Sequence, residues 1–122
     1  MQQDQMGRHP LLLEISNQIV RLYKDQFGRG PTKARTDWAG PDALVCTLRD
    51  TLTPAERKLA ALGEFQRLRE SRVFFQYANE DEFVEIVESV TKRKVAAFVS
   101  GVDAERDVAA EIFYFEPEPD SA

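Results

Sequence analysis

Between Phe27 and Asp37 the chain reads FGRGPTKARTD, two glycines, a proline and three cations at the join between a predicted helix and a predicted strand. Glycine-flanked amides beside Lys33 and Arg35 are the equipment a small anion needs. A phosphate loop, however, runs strand, loop, helix and seats its anion on a helix N-terminus. This loop leaves the C-terminal end of a helix, where the dipole is negative. The GxGP spacing is also not that of a Walker loop. The simpler reading is a structural turn with basic neighbours; the alternative is an anion site using Arg29, Lys33 and Arg35, helped by Arg72.

Other side chains with chemical potential are few. His9 is the only histidine and falls in a polar N-terminal stretch, so a nucleophile triad lacks its usual base. Cys46, the only cysteine, sits in an apolar strand pattern and reads as a small core residue. One cysteine allows no disulfide within the chain, and one histidine with one cysteine builds no Cys/His metal cluster. Glu80, Asp81, Glu82, Glu85 and Glu88 are clustered, but charge of this kind on a helix is a solvated face before it is a metal site. No catalytic residue, metal or cofactor is assigned. Arg72 and Glu111 are different, because each interrupts an apolar pattern where a charge is costly unless paired. They either meet as a buried ion pair or snorkel outward separately.

With 122 residues, 43% of them hydrophobic and 30% charged, the composition is that of one globular domain. The net charge of −5 argues against nucleic-acid binding, which needs a dominant cationic face. No apolar run is long enough to span a bilayer, and Met1 to Pro10 lacks the apolar segment of a signal peptide, so a cytoplasmic location without direct membrane insertion is expected. Charge is unevenly spread. From Arg21 to Arg35 five cations face Asp25 alone, a local +4, and from Asp103 to Asp120 seven acids face Arg106 alone, a local −6. The two regions can attract each other within or between subunits.

The elements that must position these groups follow from periodicity and breakers. Residues 1–9 and 116–122 are polar and predicted to be disordered tails, the second one acidic, leaving 10–115 as the single folded domain. Pro10 opens a helix that Gly28 closes. Its apolar arc, Leu12, Ile15, Ile19, Leu22 and Tyr23 extended by Leu13, Val20 and Phe27, is wide enough to imply cover from more than one surface. Lys33 to Trp38 and Ala43 to Arg49 read as a hairpin with Leu44, Cys46 and Leu48 facing the core. Thr53, Pro54 and Glu56 form a capping-box signature, and the helix they start ends near Gly63. Glu64 to Lys92 carries Phe65, Leu68, Phe75, Phe83, Ile86, Val87 and Val90 on one stripe, favouring a single long helix. The rival is a break at Asn79 with a second capping box to Glu82. Lys94 to Gly101 and Val108 to Phe115 are the last two strands. Both faces of the last are apolar, so the sheet is covered on both sides or contributes to a subunit contact.

The order α-β-β-α-α-β-β is an α+β class: two layers, a mainly antiparallel four-stranded sheet with helices packed on it. The secondary stripe Val73, Tyr77 and Val84, together with Phe113 and Phe115, is apolar surface in excess of one core and is the candidate interface of a homodimer.

Three segments, EIxxxIVRLYKDQFGRGPTKAR from Glu14 to Arg35, LTPAERKLA from Leu52 to Ala60 and TKRKVAAFVSGVD from Thr91 to Asp103, resemble the MpsC-like family, formerly a domain of unknown function. The resemblance implies a component of a sodium-translocating, membrane-potential-generating system whose neighbouring membrane components are linked to inorganic-carbon uptake. It therefore implies a cytoplasmic accessory or regulatory protein that acts by binding, with an integral membrane subunit as a partner. It implies no catalytic residues. Family members often carry glycine where this chain has Lys92. The alternative reading is a sensor or enzyme for bicarbonate or a phosphate ester at the basic segment.

Overall fold

The computed structural model describes residues 10–118. Helix α1 spans Pro10–Phe27, strands β1 and β2 span Lys33–Trp38 and Ala43–Arg49, and helices α2, α3 and α4 span Pro54–Ala61, Phe65–Ala78 and Glu80–Thr91. Strands β3 (Val95–Asp103) and β4 (Val108–Phe115) complete a fully antiparallel sheet of order β1-β2-β4-β3. This is the expected α+β arrangement, with helices packed on the sheet. The strand order was not legible beforehand: β4 enters between β2 and β3 and leaves β1 and β3 as edges.

The core lies on one face of the sheet. Leu44, Cys46 and Leu48 of β2 and Phe113 and Phe115 of β4 meet Leu12, Ile15, Ile19 and Tyr23 of α1 and Phe83 and Val87 of α4. Phe98 joins the layers, its ring 5.4 Å from Phe83 and 5.3 Å from Phe113. Burying this many large apolar side chains, at roughly 1.5–3 kcal/mol each, is the main drive for the two-layer arrangement. A smaller cluster, Leu52, Leu68 and Ala104, ties α2 and α3 to the β3–β4 turn.

Local signals behave as their chemistry requires. The Thr53 side chain accepts from Glu56 N at 3.2 Å and the Glu56 carboxylate accepts from Thr53 N at 2.8 Å, so the capping box is formed. Gly28 closes α1 at φ +84°, a conformation costly to any other residue, and donates to Lys24 O at 2.9 Å. Gly30 serves a different need. A Cβ there would stand 3.1 Å from both Val20 Cγ1 and Val20 O, so any side chain would push the loop and α1 apart by a few tenths of an ångström.

The long helix expected from Glu64 to Lys92 is two helices. Asn79, at φ −109° and ψ 21°, breaks the run, and its side chain donates back to Phe75 O at 2.8 Å. Asparagine offers the backbone this local alternative to the helical ladder. The acids Glu80, Asp81 and Glu82 then suit the positive first turn of α4. The second capping box is absent: Asn79 makes no side-chain cap, and the Glu82 carboxylate accepts from Gln26 of α1 instead. The break also changes which residues are buried, since α3 turns Leu68, Arg72 and Gln76 inward while Phe75 is left 48% exposed.

The last strand is two-faced, but the aromatics assigned to an interface are on the wrong side of it. Phe113 and Phe115 are 0% and 4% exposed and belong to the chain's own core, so they are unavailable to a partner. The parity of β4 places Tyr114 and Ile112 on the open face, with Tyr114 47% exposed. The tail expected over residues 1–9 lies outside the described residues, as do residues 119–122. Glu116 remains attached through its N–H to Lys94 O at 2.9 Å.

Candidate functional site

The basic segment does not assemble into one site. Arg29 is turned inward as a clamp. Its Nη1 donates to Asp50 O and Leu52 O, both at 2.8 Å, and its Nη2 pairs with the Asp50 carboxylate at 3.2 Å. Arg57 grips the same carboxylate, and the hydrogen bond from Arg29 leads the effects that hold Asp50 below its usual pKa. Arg35 pairs with Asp37 at 2.9 Å on the sheet surface. Lys33 is exposed and stands directly opposite Arg49 across the β1–β2 ladder. Among the described residues neither of these two cations has a carboxylate within ion-pair distance.

Arg72, the fourth candidate, is 1% exposed and lies far along the chain on α3. Its Nε and Nη2 hold the two Glu56 oxygens at 2.8 and 2.7 Å, and Nη2 also donates to Thr51 O at 2.6 Å. The guanidinium lies 3.8 Å from the Phe27 ring centroid, a cation–π contact. Burial alone pushes the Glu56 carboxyl upward; the bonds from Arg72 and Thr53 outweigh it and hold the group below its ordinary value. Glu56 therefore serves both as helix cap and as counter-ion.

Glu111 is wholly buried and does not pair with Arg72. Its Oε2 accepts from Tyr23 OH of α1 at 2.6 Å and from Gln76 Nε2 of α3 at 2.6 Å, while Oε1 has no hydrogen-bond partner. Burial pushes its carboxyl up to about 7. Burial, then the adjacent Glu111, also holds the Tyr23 phenol well above its usual value. Cys46, on β2 below this cluster, has its thiol pushed up to about 12 by burial, consistent with an inert core residue. The sequence singled out Arg72 and Glu111 but missed Glu56, Tyr23 and Gln76 as their partners. The available signal was spacing: Leu68, Arg72 and Gln76 recur every four residues on one helical face.

Among the described residues two apolar surfaces stand open. A groove of about 810 Å³ runs between α3 and the edge strand β3, lined by Val73, Phe74, Tyr77, Ser100 and Val102 among others. Tyr77, 40% exposed, accepts from Ser100 N at 2.9 Å and lays its ring against Phe98. Val73 is half-buried in this groove, whereas Val84 packs against the core. The second surface is the sheet face opposite the helices. Val99 and Tyr114 are 43% and 47% exposed there, beside half-buried Val45 and Ile112.

This is an α+β arrangement with helices packed on one sheet face and a buried Arg72–Glu56 ion pair in which Arg72 Nε and Nη2 are bonded while Nη1 has no hydrogen-bond partner among the described residues. The chain belongs to the MpsC family: residues 7–117 match the family model described as Na+-translocating membrane potential-generating system (MpsC). No curated protein and no solved structure is significantly similar to it. Among the described residues no helix is long and apolar enough to cross a membrane.

Proposed function

We propose that the protein is a non-catalytic, cytoplasmic accessory subunit that serves a Na+-translocating, membrane-potential-generating system by binding other proteins. The observation that carries this reading is where the polar chemistry goes. Arg29, Arg72, Glu56, Tyr23 and Gln76 make their hydrogen bonds inside the chain, while among the described residues the α3–β3 groove at Val73, Phe74 and Tyr77 and the sheet face of Val45, Val99, Ile112 and Tyr114 are left open. Contiguous apolar surface of this kind marks an interaction site. Family membership supplies the setting, and an integral membrane subunit is the partner that setting calls for.

The test is purification of the tagged full chain from its native cell in mild detergent. Enrichment of an integral membrane ion-translocating subunit supports the reading. Its absence, together with an unchanged Na+-dependent membrane potential after deletion of the gene, refutes it.

One observation favours a second reading, binding of a small anion. Lys33 and Arg49 face each other with no carboxylate of the described residues within ion-pair distance, in a shallow site that also includes Arg35 and Thr47. Like charges directly opposite on a sheet are destabilising, and an anion would relieve them. Thermal shift with bicarbonate and phosphate esters decides this. No stabilisation, or stabilisation that survives Lys33→Ala with Arg35→Ala, removes it.

A further inference from the structure

The open sheet face carries its own complement. At one end the ladder sets Lys33 against Arg49 and Arg49 against Val108. Beside them a hollow of about 580 Å³ is floored by Thr47, Gly101 and Ala110 and also lined by Arg49 and by Asp103 and Arg106, which neutralise each other as an ion pair at 3.3 Å. At the other end of the same strand, β4, the Tyr114 ring stands out from the surface, and the chain passes directly into exposed Glu116, whereas Glu118 is held by Arg93 at 3.5 Å. One face therefore bears a cationic end with a hollow and an acidic end with a protruding ring.

These features cannot satisfy each other within one chain by direct contact. Strand β4 runs from Val108, next to Arg49, to Phe115, so Glu116 leaves the sheet about 25 Å from the cations at the usual strand rise. A second copy turned end for end brings them together. We propose that the open faces of two copies pack on each other about a two-fold axis lying between the sheets and perpendicular to the strands. In that arrangement each Tyr114 enters the hollow beside Ala110 of the other copy. Glu116 of each copy comes over Lys33 and Arg49 of the other. Self-complementarity of a single patch is the requirement of a two-fold interface, and face-to-face packing of two sheets about 10 Å apart meets it. The proposal rests on the reading that this protein works by binding, and assigns the open face to a second copy. The α3–β3 groove then remains for any other partner.

Light scattering and sedimentation of the full chain test it. The expected mass is twice that of the chain, falling toward one chain mass as salt is raised. Ala110→Arg and Tyr114→Arg each halve the mass while leaving the far-ultraviolet spectrum and cooperative unfolding intact, whereas Leu62→Glu, at the exposed residue just after α2, leaves the mass unchanged. Lys33→Glu with Arg49→Glu weakens association at least tenfold, and adding Glu116→Lys restores it. This charge-swap series stays informative if a hollow-filling variant fails to fold. A wild-type chain that is monomeric at hundreds of micromolar, or a dimer that persists in the folded Tyr114→Arg and charge-reversed variants, overturns the pairing. Either result leaves the co-purification experiment untouched, because that experiment reads a different partner.

Discussion

Replacing Glu111 by glutamine isolates the energetic consequence of one buried proton. The carboxyl is 0% exposed, and the groups facing it are Tyr23 from α1, Arg72 and Gln76 from α3, Ser100 from β3 and Cys46 from β2. Burial raises its pKa from 4.5 to about 7, so between those values the folded chain holds a proton that the unfolded chain has released. Stability from this group is fully present below about pH 4.5 and is lost as pH rises through about 7. At about 1.36 kcal/mol for each tenfold change in proton affinity, the loss is about 3 kcal/mol. Urea unfolding of wild type and Glu111→Gln at half-unit steps from pH 5 to 8 measures it. Glutamine keeps the shape and cannot titrate, so its constant offset and the contribution of His9 cancel in the difference between the two profiles. The variant gains on wild type by about 2–3 kcal/mol across this range. Parallel profiles would refute the claim that Glu111 is buried without a compensating charge.

Three further outcomes are expected. Arg72→Ala leaves Glu56 without its counter-ion and Thr51 O without its donor and costs about 3–5 kcal/mol in urea unfolding, more than Arg57→Ala, whose side chain is 53% exposed. Gly30→Ala forces the loop off Val20 and costs about 1–3 kcal/mol, read as a lowered Tm. Lys92→Gly relieves the left-handed backbone at φ 60° that closes α4 and raises stability by up to about 1 kcal/mol.

Several elements were legible because their causes are local. The Thr53–Glu56 capping box, the closure of α1 at Gly28, and the alternation of Leu44, Cys46 and Leu48 each depend on a few neighbouring side chains, and each stands in the structure as read. The GRGP segment was rightly suspected of being a backbone device, although only the fold shows that Gly30 answers to Val20. Arg72 and Glu111 were recognisable as anomalies because a charge in an apolar pattern needs an explanation.

What the residue order alone determined is the class of the protein: an α+β chain whose periodicities and breakers dictate the helices and strands, in a family its motifs already resembled. What only the tertiary structure decided is every matter of pairing. Arg72 answers to Glu56 and Glu111 to Tyr23 and Gln76, and Asn79 breaks a helix whose apolar stripe ran on without interruption. Phe113 and Phe115 face the core while Tyr114 faces out. The physical reason is range. A cap or an alternation is settled within a turn or two of chain, whereas the partner of a buried charge, or the face of a strand that receives the helices, depends on which distant segment arrives there.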